Sequence, residues 1–219
     1  MSRSTLSSFV GASTLMLVLV AAAPALAGPP LLCHPFNIEN ARSLPWSGVT
    51  GWRDGRADYN VANLPKDIDS LLTPSTPIIV RMETMRRAAI YASRDLQVAS
   101  AMVSTYLKRV AASEQKGEGD AMTMLDAAYF VEALRQFSHL GEPPEFRERA
   151  PKLAALVAST DGYLLVKKSL ALRPNDASLE FAAALIASDK SRTAYGEHLQ
   201  KARAGAATDR LLALNLGAY

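Results

Sequence analysis

Hydrophobic residues recur along most of the chain at the three-to-four-residue spacing of helices, most densely between Asp120 and Gly141. That stretch, DAMTMLDAAYFVEALRQFSHLG, reads as a helix capped by the Asp120 carboxylate. It is closed by Gly141, which tolerates the left-handed backbone of a helix end. At about 100° per residue, Met122, Tyr129, Phe130, Ala133, Phe137 and Leu140 fill one broad side. Met124, Ala127, Val131 and Leu134 cover much of the rest, leaving a narrow strip of Ala128, Glu132, Arg135 and His139 for water. A helix apolar nearly all round belongs inside a domain, so other helices are expected to wrap this one. Asp126 is the misfit. It falls on the apolar side, among Met122, Tyr129, Ala133 and Phe137.

Helical patterns continue on both sides. Pro65 starts a short helix to about Thr73, with Ile68, Leu71 and Leu72 on one face. Thr76 and Pro77 open a longer one to about Ser93, with Ile78, Met82, Met85, Ala89 and Ala92 as its core stripe. Glu83 and Arg87 fall on its polar side, and Arg81 and Arg86 lie on the two borders of the stripe. Asp95 caps a third helix lined by Leu96, Val103, Tyr106, Leu107 and Val110. Beyond Gly141, Pro143 and Pro144 interrupt, and Pro151 is expected to divide the next segment into a short turn and a helix. Helices follow over 161–173 and from the Asp176 and Ser191 caps, with a short last one starting at Thr208 or Asp209. No segment alternates strongly enough to be a strand. The expected fold is all-α, with roughly eight helices in antiparallel hairpins stacked as a short repeat-like array or bundle.

The chain divides into three parts. Residues 1–27 have the layout of a secretory signal: Arg3 near the start, the apolar run LMLVLVAAA, and the small-x-small Ala25-Leu26-Ala27. The alternative is an uncleaved anchor, but the run is short of the ~20 residues a crossing needs and ends at Pro24. Cleavage would start the mature chain at Gly28, with no stable membrane anchor. Residues 28–63 hold both tryptophans among prolines and glycines, with no sustained periodicity. Trp46, Trp52, Phe36 and Ile38 make this arm too apolar for a disordered tail, so it is expected to pack on the helical body of residues 64–219. The tryptophans either plug surface gaps or form a ligand platform.

Composition narrows the function without naming it. Of 219 residues, 49% are hydrophobic and the net charge is only +3, which argues against the clustered basic surface of a nucleic-acid binder. Cys33 is the single cysteine, so no internal disulfide supports the fold. Leu32 precedes it, where a lipid-anchored cysteine would need a small residue. Cys33-His34 is nonetheless a possible reactive pair, since a thiolate beside an imidazole suits a nucleophile or a soft metal ligand. His139 and His198 stand apart on helices in polar company. No G-x-S-x-G, P-loop, H-E-x-x-H or dinucleotide fingerprint is present, and no cofactor or metal is implied.

Asp126 carries the main electrostatic signal. An unpaired buried carboxylate protonates or finds a partner, and Arg81 and Arg86 both flank the apolar stripe of the 76–93 helix. Arg86 is the expected partner. The pair then either fixes helix register as a buried salt bridge, or belongs to a polar pocket that binds a small anion or does acid–base work. A third possibility is that the arginine merely reaches past the apolar surface to water.

From about Phe146 to Leu216 the chain resembles tetratricopeptide-repeat proteins. SLALRPND (169–176) looks like the end of a repeat's second helix with its closing proline, Pro174. In that frame Gly162 sits where the repeat wants a small residue, and Gly196 falls one period of about 34 residues later. The resemblance implies stacked helical hairpins with a groove for a protein segment, and no chemistry. Together these features point to an exported, non-catalytic binding or scaffolding module of the cell envelope, with another protein or peptide as partner. The alternative is an enzyme or small-ligand binder using a polar pocket around Asp126 and Arg86, between the arm and the central helix, with Arg81 and Cys33-His34 also on its lining and Trp46 and Trp52 as further candidate binding residues.

Overall fold

The computed structural model describes residues 28–48, 51–117, 119–140 and 144–219. The proposed leader, residues 1–27, and Gly141 lie outside the described residues. Among the latter there are nine α-helices and no strand, a lone bridge between Trp46 and Gly55 aside. The helices are α1 (Leu64–Leu71), α2 (Ile78–Ala92), α3 (Leu96–Gln115), α4 (Ala121–Gln136), α5 (Pro144–Leu156), α6 (Gly162–Leu172), α7 (Ala177–Ala187), α8 (Arg192–Gly205) and α9 (Arg210–Leu216). None of them is long and apolar enough to cross a membrane. The protein is all-α, and α4 stands at its centre, packed against α2, α3, α5, α6 and α7.

The starts of these helices are set by short polar side chains. Asp95, Asp120, Asp161, Asp176, Ser191 and Asp209 each accept a backbone N–H of the first turn they precede, which satisfies donors that have no partner inside the helix. Thr76 does not cap α2, which begins after Pro77. Its hydroxyl donates to the Leu71 carbonyl (3.0 Å) and accepts from the Thr73 amide (2.9 Å), closing the α1–α2 turn instead. Pro151 does not divide its segment either. α5 runs straight through it, and burial of Ala150, Leu153 and Val157 along one side offsets the ladder bond that proline cannot make. α4 ends in a 3-10 turn, Phe137–His139.

Two surfaces expected to be wet are covered. On α4, Ala128 is fully buried and Glu132 only 3% exposed, because α6 lies across that half of the strip, while Arg135 and His139 stay in reach of water as expected. Gly162 permits the approach: a Cβ there would stand 2.5 Å from Glu132 Cγ and 2.9 Å from the Ala128 carbonyl oxygen. Glu132 spends its charge locally, accepting the Gly162 amide (2.8 Å) and pairing with Lys190 (2.9 Å) and Arg135 (3.1 Å). Gly196 makes no such approach, since a Cβ there would meet open space.

The second covered surface is on α2, where every residue except Arg87 is buried. The cover is the irregular arm. Leu31, Leu32, Phe36, Ile38 and Leu44 are buried, and polar groups of the helical body hold the backbone between them. Glu83 accepts the Phe36 amide (3.0 Å), Gln136 accepts the Leu31 amide (2.9 Å), and Arg87 donates to the Leu44 carbonyl (2.6 Å). Between Phe36 and Ile38, the Asn37 amide donates to Asn215 of α9 (2.8 Å) and its carbonyl accepts from Asn215 (2.9 Å). Further along, the Tyr91 hydroxyl accepts the Arg56 amide (2.9 Å) and Arg94 donates to the Gly55 carbonyl (3.0 Å), so the arm is held along its length.

Candidate functional site

Asp126 sits on the face of α4 that meets α2, 7% exposed. Its partner is Arg81 and not Arg86. Arg81 Nη1 donates to Asp126 Oδ2 at 2.5 Å, and Nη2 donates to the Thr73 carbonyl at 2.7 Å. Arg81 and Arg86 lie on different sides of α2. The first faces α1 and the start of α4; the second faces the arm.

The pair is only half satisfied. Asp126 Oδ1 and Arg81 Nε are both buried without a hydrogen-bond partner, which is costly in a low-dielectric interior. Burial dominates the electrostatics at Asp126. It pushes the carboxyl up to about 7, against the lowering pull of the Arg81 charge and hydrogen bond. Asp120 behaves oppositely. Burial raises it, but bonds from the Thr123 hydroxyl and from the Met122 and Thr123 backbone together hold it below the usual carboxylate range. Burial also pushes the Tyr106 phenol well above its ordinary value.

These groups open onto one cavity of about 460 Å³. Its apolar walls are Ile68, Leu72, Pro74, Tyr106 and Met122, and its polar lining is Asp69, Thr73, Arg81, Arg109, Asp120, Thr123 and Asp126. Arg109 of α3 forks onto Asp69 of α1 through two bonds of 2.8 and 2.9 Å. Both side chains are about half exposed (46% and 52%), so this bridge lies at the solvent side while Arg81–Asp126 lies deep. Arg109, Asp120 and Thr123 also line a shallower concavity of about 650 Å³ running toward Lys116 and Leu172. A volume of several hundred Å³ with apolar walls and a few converging polar groups is the usual form of a small-molecule site, and a strongly perturbed carboxyl inside it strengthens that assignment.

The other expected site residues are placed elsewhere. Arg86, fully buried, grips Glu83 through two bonds of 2.7 and 2.8 Å and donates to the Leu32 carbonyl (3.1 Å). Trp46 lies under the Arg86 and Arg87 guanidiniums (4.9 and 5.4 Å to the ring centroid) and meets Tyr91 edge-on. Its indole N–H donates to the Gly51 carbonyl. Trp52 packs beneath Arg53. Both tryptophans are therefore fastened to the arm and the C-terminal half of α2, outside the Asp126 cavity. Cys33 and His34 do not form an activated pair: burial pushes the thiol up to about 11, and the His34 ring stands edge-on to Tyr219.

One cluster was not anticipated. His198 of α8, expected to stand apart, donates from Nδ1 to Glu180 Oε2 of α7 at 2.5 Å, and its Nε2 meets the Tyr163 hydroxyl of α6 at 3.0 Å. Glu180 carries the same signal as Asp126, a lone acid in an apolar helix, ASLEFAAALIA. Among the described residues no group of three His, Cys, Asp or Glu side chains is placed to hold a metal.

No known family model, no curated protein and no solved structure matches the chain.

Proposed function

We propose that the protein is an exported, non-catalytic binding module of the cell envelope whose ligand seat is the cavity between α1, α2, α3 and α4. The observation behind this is the half-satisfied Arg81–Asp126 pair facing a cavity of about 460 Å³. A register-fixing salt bridge has no use for an adjoining void or for an orphan oxygen; a ligand supplies what both lack. The leader-like residues 1–27 support export. Stacked hairpins resembling tetratricopeptide repeats suit a rigid frame for such a seat, and the seat favours a small polar ligand over an extended protein partner.

Met122 provides a local reporter because it lines the cavity. With methyl-labelled methionine in the mature protein, compounds of the right class are expected to shift the Met122 signal and raise Tm together. A chemically mixed panel of small amines, acids, sugars and alcohols that leaves Met122 unmoved would end this reading.

A further inference from the structure

Resting on that reading of the cavity, we infer that its ligand carries a protonated amine: a compact alkylammonium group, free or as a lysyl side chain, seated against Asp126. Three observations carry this. First, the orphan acceptor Asp126 Oδ1 asks for a donor, and Asp126 is part of the cavity lining. Second, the charges do not balance. Arg81 is matched by Asp126 and Arg109 by Asp69, which leaves Asp120 as a carboxylate without a cation of its own. Asp120 Oδ1 caps Met122 and Oδ2 accepts from Thr123, and with the Thr123 backbone also donating the carboxylate keeps acceptor capacity for one further donor. Third, Ile68, Leu72 and Met122 wall the cavity with the apolar surface an alkyl chain would cover.

An ammonium has three N–H donors and no acceptor, which suits a cavity whose unmatched groups are a carboxylate and an orphan acceptor oxygen. A carboxylate ligand would face three aspartates and find a single orphan donor, Arg81 Nε. The groups bearing on Asp126 are Arg81 from α2, Tyr106 and Arg109 from α3, Asp69 from α1 and Asp120 at the start of α4. Recognition needs the ionised carboxylate, so binding strengthens as pH rises through the titration of Asp126. The gain is about ten-fold between about pH 6 and pH 8, and both ends lie well below loss of the proton from an alkylamine.

The experiment is a titration of the mature chain with butylamine, cadaverine and an N-acetylated, C-amidated Ala-Lys-Ala peptide, against butyrate and butanol, read at the Met122 methyl. The amines are expected to shift Met122, to bind about ten-fold more tightly at the higher pH, and to lose binding in Asp126→Asn. The wild-type pH profile stands by itself should that variant fail to fold. Response to the free amines alone, or to the peptide as well, separates a small metabolite from a lysyl side chain. If butyrate shifts Met122 and the amines do not, the cationic assignment is wrong while the cavity reading survives. If amines act only on other methionines, or bind equally at both pH values, the assignment also fails. If no compound of any class moves Met122, the cavity reading falls with it.

Discussion

Replacing Arg86 by methionine is expected to lower the unfolding free energy by about 3–5 kcal/mol, the usual cost of removing one partner from a buried ion pair. Glu83 and Arg86 are both fully buried. Arg86 fills both oxygens of Glu83 and also the Leu32 carbonyl. Without it, Glu83 keeps Arg87 (2.6 Å) and the Phe36 amide, and part of its charge is left in an interior it cannot leave. The arm should loosen at the same time, since the Arg86 side chain joins α2 to its backbone. Urea unfolding gives the free energy, and trypsin cutting at Arg42 and Arg53 gives the arm; both should change together. A loss below about 1 kcal/mol would place the pair among weak surface bridges. Arg81→Met should cost less. Asp126 is already pushed up to about 7 and can take a proton when its partner goes.

The second large effect concerns Gly162 and Gly196, two glycines in α6 and α8. Gly162→Ala is expected to destabilise by about 1–3 kcal/mol, as overpacking commonly does. The new methyl would fall 2.5 Å from Glu132 Cγ, 2.7 Å from its Oε1 and 2.9 Å from the Ala128 carbonyl oxygen. The glutamate cannot simply swing away, because it also holds Lys190 and Arg135. Gly196→Ala lies in the interior of α8 with nothing within 4 Å, so it should stabilise by about 0.5–1 kcal/mol through helix propensity and unfolded-state entropy. Thermal unfolding of the two single variants reads the difference in sign. Equal losses at both positions would mean that α8 is approached as closely as α6.

How far the sequence discloses this architecture depends on what kind of signal each feature leaves. The helices and most of their caps are legible because periodicity and capping chemistry are local. Asp126 is legible because a lone acid on an apolar face is a local contradiction. Glu180 leaves the same mark in α7, and its pairing with His198 of α8 is the kind of answer Asp126 receives from α2. Which arginine answers Asp126 is not local. Arg81 and Arg86 both border the same stripe, and the choice depends on which border faces α4 and which the arm. Glu132 and Glu83 look solvated for a related reason. Their covers, α6 admitted by Gly162 and an arm with no periodicity, are properties of the packed chain. The cavity leaves no trace in the sequence, since a void is made by what several helices fail to fill.

Everything proposed for function rests on Asp126 being a carboxyl held near neutrality beside open space. The most direct measurement is a carbon-13 titration of its side-chain carboxyl in the intact protein, with Asp126→Asn used to assign the signal. A midpoint near 7, falling when an alkylamine is added, is the expected result. A midpoint at or below the ordinary aspartate value, about 3.9, and indifferent to amine, would show a fully compensated salt bridge and leave the cavity without its recognition group.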